Sequence, residues 1–117
     1  MKPNHSQHRV EQVADGVRCE ISRLLLFEVR DPQLKHVTIT QVRMTADLKE
    51  AWVYYDWAGP EANRDAIDQA LQRASGFIRH ELAQVLSFKF VPQLFFHFDE
   101  TRAIYDRASA LIDKTHK

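Results

Sequence analysis

In its third quarter the chain reads Arg73-Ala74-Ser75-Gly76-Phe77-Ile78-Arg79. Two guanidinium groups, a hydroxyl and a glycine close together are the parts of an anion site. Arginine pairs with phosphate oxygens, serine adds a hydroxyl hydrogen bond, and a residue without Cβ lets a ligand approach the backbone. His80 follows directly. Lys89, and on another part of the chain Arg43 and Lys49, either extend a basic track or stand as solvated surface charges.

The glycine is the informative member. From Ala66 to Leu86 the pattern is helical, with Ile67, Leu71, Ala74, Ile78, Leu82 and Val85 on one stripe. Gly76 falls on the other side, among Gln69, Gln72, Arg73, Arg79, His80 and Ala83. There it costs roughly 1 kcal/mol against alanine and gains no packing. The pattern predicts a kink between two helices at Gly76, or a close approach by a ligand phosphate. It also predicts free backbone donors on a helix beginning near Gly76. Charge changes sign at the same place. Residues 61–70 carry Glu61, Asp65 and Asp68 against Arg64, whereas residues 71–90 carry Arg73, Arg79 and Lys89 against Glu81.

The elements that must position these residues follow from periodicity. Val10, Val13, Val17, Ile21, Leu24 and Glu28 step by three or four, which predicts an amphipathic helix over about 8–30, capped by Ser6 and ended by Pro32. Its arginines (9, 18, 23, 30) alternate with acids (11, 15, 20, 28), as on an ordinary solvated face. Val37–Met44 is rich in β-branched residues, and its apolar face switches between Ile39 and Val42, which predicts a strand with a bulge. Ala51–Trp57 closes a hairpin, with Trp52, Tyr54 and Trp57 as packing residues. Leu94, Phe96 and Phe98 share one face of a third strand, leaving His97 at the surface. Ile104, Ala108 and Leu111 suggest a closing helix to about Asp113. The expected fold class is α+β: a single domain over 8–113 between short tails at 1–7 and 114–117. The expected order is α-β-β-α-α-β-α, a three-stranded sheet with helices mainly on one face.

Composition narrows the function. The 117 residues are 44% hydrophobic and 27% charged, which suits one globular core. Sixteen basic and sixteen acidic residues cancel, so no global attraction to nucleic acid or anionic membrane is signalled. The lone Cys19 allows no internal disulfide and is expected near the core in a reducing compartment. No apolar run approaches a membrane span, so a soluble, cytoplasmic protein is expected. Six histidines form no metal signature with Cys19. No Ser-His-Asp pattern, paired-carboxylate spacing, P-loop or dinucleotide fingerprint occurs, so neither an enzyme nor a cofactor is expected.

The order of elements, with Ala74-Ser75-Gly76 between the central helices, resembles a KH domain of type II topology. More closely, the chain resembles the ribosome-binding factor A family over about 9–112. The resemblance is carried by Asp31-Pro32-Gln33-Leu34, Val37-Thr38-Ile39-Thr40, Ala46-Asp47-Leu48, Ala74-Ser75-Gly76-Phe77-Ile78-Arg79, Val91-Pro92-Gln93-Leu94 and Asp99-Glu100-Thr101. It implies a monomeric, non-enzymatic assembly factor that binds free or immature small (30S) subunits and their 16S rRNA. It also implies help with late maturation and rRNA processing, and departure before translation. The family's Ala-x-Gly replaces the Gly-x-x-Gly clamp of ordinary KH domains, which points to a shaped rRNA surface rather than a short sequence. The family has a more basic start, and a basic residue where this chain has Phe95. On that reading the residues whose chemistry suits an RNA contact are Arg43, Lys49, Arg73, Ser75, Gly76, Arg79, His80 and Lys89. A protein-interaction domain of the same fold, with no direct RNA binding, is the alternative.

Overall fold

The computed structural model describes residues 5–101. The expected closing helix lies outside them. Helix α1 (His5–Phe27) is followed by a 3-10 turn at Pro32–His36 and the hairpin β1 (Val37–Met44) and β2 (Glu50–Trp57). Helix α2 (Arg64–Val85) then leads to β3 (Gln93–Phe98). The sheet order is β1-β2-β3, with β1 antiparallel and β3 parallel to β2. A parallel neighbour needs a crossover, and α2 supplies it.

Both helices lie on one face of the sheet, α1 over β1 and α2 over β3. Val17, Ile21, Leu24 and Leu25 of α1 meet Ile67, Leu71, Ile78 and Leu82 of α2 in the core. Ile39, Val53, Tyr55, Leu94 and Phe96 close it from the sheet. Helix α1 starts at His5, so Ser6 lies inside it rather than capping it. Its end follows the expected cause. Asp31 is extended before Pro32 (φ −69°, ψ 113°), and its carboxylate accepts from the Gln33 amide at 3.0 Å. The charges of α1 pair along its wet side, Arg18 with Asp15 at 2.8 Å and Arg23 with Glu20 at 2.5 Å. Cys19 is exposed, contrary to expectation: two residues beyond buried Val17, it faces away from the stripe.

The bulge occurs where the apolar face switches. Ile39 pairs with Tyr55 but Gln41 pairs with Tyr54, leaving Thr40 as the extra residue. That insertion turns both Ile39 and Val42 toward the helices. Thr40 Oγ1 donates to Asp99 Oδ2 at 2.5 Å, tying the bulge to the end of β3. The β1–β2 turn is closed by Thr45 and Asp47, whose carboxylate accepts from the Lys49 amide at 3.0 Å, while Leu48 takes a left-handed φ of 62°.

The main departure from expectation is in the middle of the chain. Where two helices with a kink at Ala74-Ser75-Gly76 are expected, one helix runs unbroken from Arg64 to Val85, and Gly76 does not have a positive φ. Magnitudes explain the continuity. Burying Ile67, Leu71, Ile78 and Leu82 on one stripe is worth about 1.5–3 kcal/mol each, against about 1 kcal/mol lost at an exposed glycine. Val85 is also not on the buried stripe; it is 55% exposed. The chain leaves helical geometry at Leu86, which packs against the core in its place.

Candidate nucleic-acid interface

The wet side of α2 carries Gln69, Gln72, Arg73, Gly76, Phe77, His80 and Ala83, all exposed. They face outward because the opposite stripe is committed to the core. An alanine-type Cβ at Gly76 would meet nothing within 4 Å, so packing does not account for the glycine. Arg73 is the loosely held cation of this surface. Its side chain is 66% exposed, and among the described residues its one ion pair, to Asp31, spans 4.0 Å. Such a long, wet contact holds the guanidinium weakly. Ser75 is half-buried beside it. Because α2 is continuous, Gly76 does not begin a helix. The amides around it serve the helix's own hydrogen bonds rather than forming a set of free donors.

Arg79 is placed differently from the expectation that it faces water. It is half-buried, with Nε donating to the Pro92 carbonyl at 3.0 Å and Nη2 to the Val91 carbonyl at 3.2 Å. These carbonyls belong to the loop that delivers β3, where no strand or helix partner serves them. Arg79 therefore fastens that loop to α2. Arg64 is likewise engaged, between Glu61 and Glu100 at 3.6 and 3.5 Å, with its guanidinium 3.8 Å from the Phe98 ring centroid.

Lys89 stands in the loop after α2, its ammonium 5.8 Å from the ring of Phe90, which is 61% exposed. Arg43 does not join the α2 surface. On β1, Val42 and Met44 turn toward the helices, so Arg43 between them points to the opposite face of the sheet. Lys49 sits exposed in the hairpin turn. The structure thus gathers Arg73, Ser75, Gly76 and His80 on one helix. Arg43 lies across the sheet from them.

The face around Arg43 carries rings whose types alone suggest packing. Trp52 stacks on Phe95 at 4.9 Å between centroids and on His97 at 5.2 Å, and Tyr54 lies 6.1 Å from His97. Strand alternation is the signal that finds them, since Val53, Tyr55, Leu94 and Phe96 between them are buried. Their adjacency also needs the parallel β2–β3 register, which pairs Trp52 with Phe95 and Tyr54 with His97. Among the described residues no group of His, Cys, Asp and Glu could hold a metal ion, and no helix is long and apolar enough to cross a membrane.

Residues 9–112 match a family described as Ribosome-binding factor A. A ribosome-binding factor A of Desulfatibacillum aliphaticivorans is 43% identical over 93 residues, covering 80% of this chain and 76% of that one. The crystal structure of ribosome-binding factor A from Thermus thermophilus superposes with a TM-score of 0.68 at 21% identity, covering 76% of this chain and 93% of that one. A homology model of the Thermus thermophilus factor, fitted into the cryo-EM map of a 30S complex, gives a TM-score of 0.54 at 25% identity. It covers 72% of this chain and 92% of that one.

Proposed function

From the premise that the chain belongs to the ribosome-binding factor A family, we propose a non-enzymatic assembly factor for the small ribosomal subunit. It binds free or immature 30S particles through 16S rRNA, assists late maturation and rRNA processing, and leaves before translation. The domain that does this spans 8–113, works as a monomer in the cytoplasm and uses no cofactor. The observation that carries the reading is the bare side of α2. Arg73 projects there almost unpaired, next to a glycine that packing does not require.

An exposed guanidinium one turn before a Cβ-free stretch of backbone suits a phosphodiester chain drawn close to the helix. His80, a turn beyond Gly76, adds a second donor, and Lys89 a charge on the following loop. Arg79 contributes by fastening the Val91–Pro92 loop to α2. A rigid helix face of this kind reads the shape of folded rRNA. Ordinary KH recognition of a splayed strand needs a mobile Gly-x-x-Gly loop between two helices, and α2 is unbroken.

The test is sedimentation of tagged protein with purified 30S particles over a salt series. Phosphate contacts release counterions, so retention should fall steeply with salt, and Arg73→Glu should weaken it with unchanged circular dichroism. A complex indifferent to salt and to RNA removal would instead favour a protein-docking domain. Absence from 30S fractions would overturn the proposal altogether.

A further inference from the structure

Among the described residues, the sheet face turned away from the helices carries a stacking arrangement whose ring partners all come from one side. Both ring partners of Trp52 come from β3: Phe95, its register partner, at an interplanar angle of 24°, and His97, two residues along, at 20°. On the other side, the register partner of Trp52 is Arg43 of β1. Among the described residues no ring or guanidinium stacks on the indole from that side, and Trp52 remains 37% exposed. Arg43 is exposed and has no ion pair among the described residues; the same holds for Lys49 in the adjoining turn. Among the described residues strand β1 is the sheet edge, and no further strand lies beyond Arg43.

Among the described residues a large ring is braced by two others on one side and has, as its neighbour on the other, a cation without an ion pair. Neighbouring strands lie about 4.8 Å apart, so a planar ring on the indole requires the Arg43 side chain to swing outward, toward the position of a phosphate joined to that ring.

We infer that the β1 side of Trp52 is a stacking site for one unpaired nucleotide of RNA, with the base on the indole and the adjoining phosphate on Arg43. The inference rests on the reading that the protein binds rRNA, and it adds a contact on the sheet face remote from the wet side of α2. Every base has a π-face, so the site selects for an unpaired nucleotide and not for a particular base. Phe95 and His97 are positioning residues that keep the indole upright.

The experiment uses the full chain carrying Trp57→Phe, so that Trp52 is the only tryptophan, with circular dichroism as the check on folding. Oligouridylate and oligoadenylate should quench Trp52 emission comparably, and an RNA duplex should not. Arg43→Gln should weaken the titration about tenfold, and Trp52→Leu in the unmodified chain should lower the affinity for a fluorescently labelled oligonucleotide by a similar factor. If Trp57→Phe perturbs the fold, the labelled oligonucleotide alone decides, with Trp52→Leu and Phe95→Leu as the variants. Absence of quenching and of any affinity loss overturns the site. Quenching that depends on protein concentration without RNA also overturns it, by showing that the face meets a second copy. Retention on 30S particles is measured in parallel: protein that sediments but is not quenched refutes only the stacking site. Protein that fails to sediment refutes the proposed function.

Discussion

Replacing Gly76 by alanine tests the helix and its function with one methyl group. The position is exposed, lies near the middle of the 22-residue α2, and offers an added Cβ no neighbour within 4 Å. No steric cost arises, and the folded backbone is not in the left-handed region. What remains is intrinsic propensity, about 0.8–1.0 kcal/mol in favour of alanine. Urea unfolding followed by circular dichroism should therefore show Gly76→Ala more stable by about 1 kcal/mol. For a urea dependence of about 2 kcal/mol per molar, the midpoint rises by about 0.5 M. Thermal unfolding should move up by about 4 °C. If the glycine is kept for close approach of a phosphate, the same variant should bind 30S particles more weakly while being more stable. Loss of stability would refute the argument on the structural side, because it would mean that α2 bends at Gly76 in a way a side chain opposes. Greater stability with unchanged subunit binding would refute the argument on the functional side.

Other substitutions probe the supports of the site. Arg79→Met keeps the aliphatic stem but strands the Val91 and Pro92 carbonyls, and should cost about 2 kcal/mol in urea unfolding. An Arg79→Met protein as stable as the parent would show that the two hydrogen bonds are dispensable. Hydrogen bonds from Thr101 and then Thr40 hold the Asp99 carboxyl below the usual aspartate range. A depressed carboxylate contributes stability above its unfolded pKa and loses it as pH falls through the folded value. Asp99→Asn should therefore cost about 1 kcal/mol at neutral pH and flatten the acid side of the stability profile; an unchanged profile would contradict this. Gly59→Ala would set a Cβ into the Trp57 indole, so it should lower stability by about 1–3 kcal/mol and shift tryptophan emission. A variant with parental emission would show that the indole is not held against the backbone there.

Much of this molecule is written in local patterns. Three- and four-residue steps of apolar side chains determine which faces of α1 and α2 are buried, and Pro32 determines where the first helix can no longer continue. The switch of apolar face between Ile39 and Val42 determines the bulge, because side chains in a strand alternate and only an extra residue restores both to the core. The same arithmetic of helical turns puts Arg73 and Gly76 on the wet side of α2, where they lie. Patterns of this range end where partners distant in sequence compete. The sequence shows that Gly76 is locally unfavourable, but continuity of α2 depends on burial at both its ends against the sheet and α1. Arg79 reads as a surface cation from its neighbours, yet two carbonyls more than ten residues away draw it in. The stack on Trp52 exists only because β3 lies parallel to β2 in a register that brings Phe95 and His97 beside it. Periodicity records which way a side chain points. Only the tertiary structure decides what stands opposite it, because that depends on where another part of the chain finds its own burial.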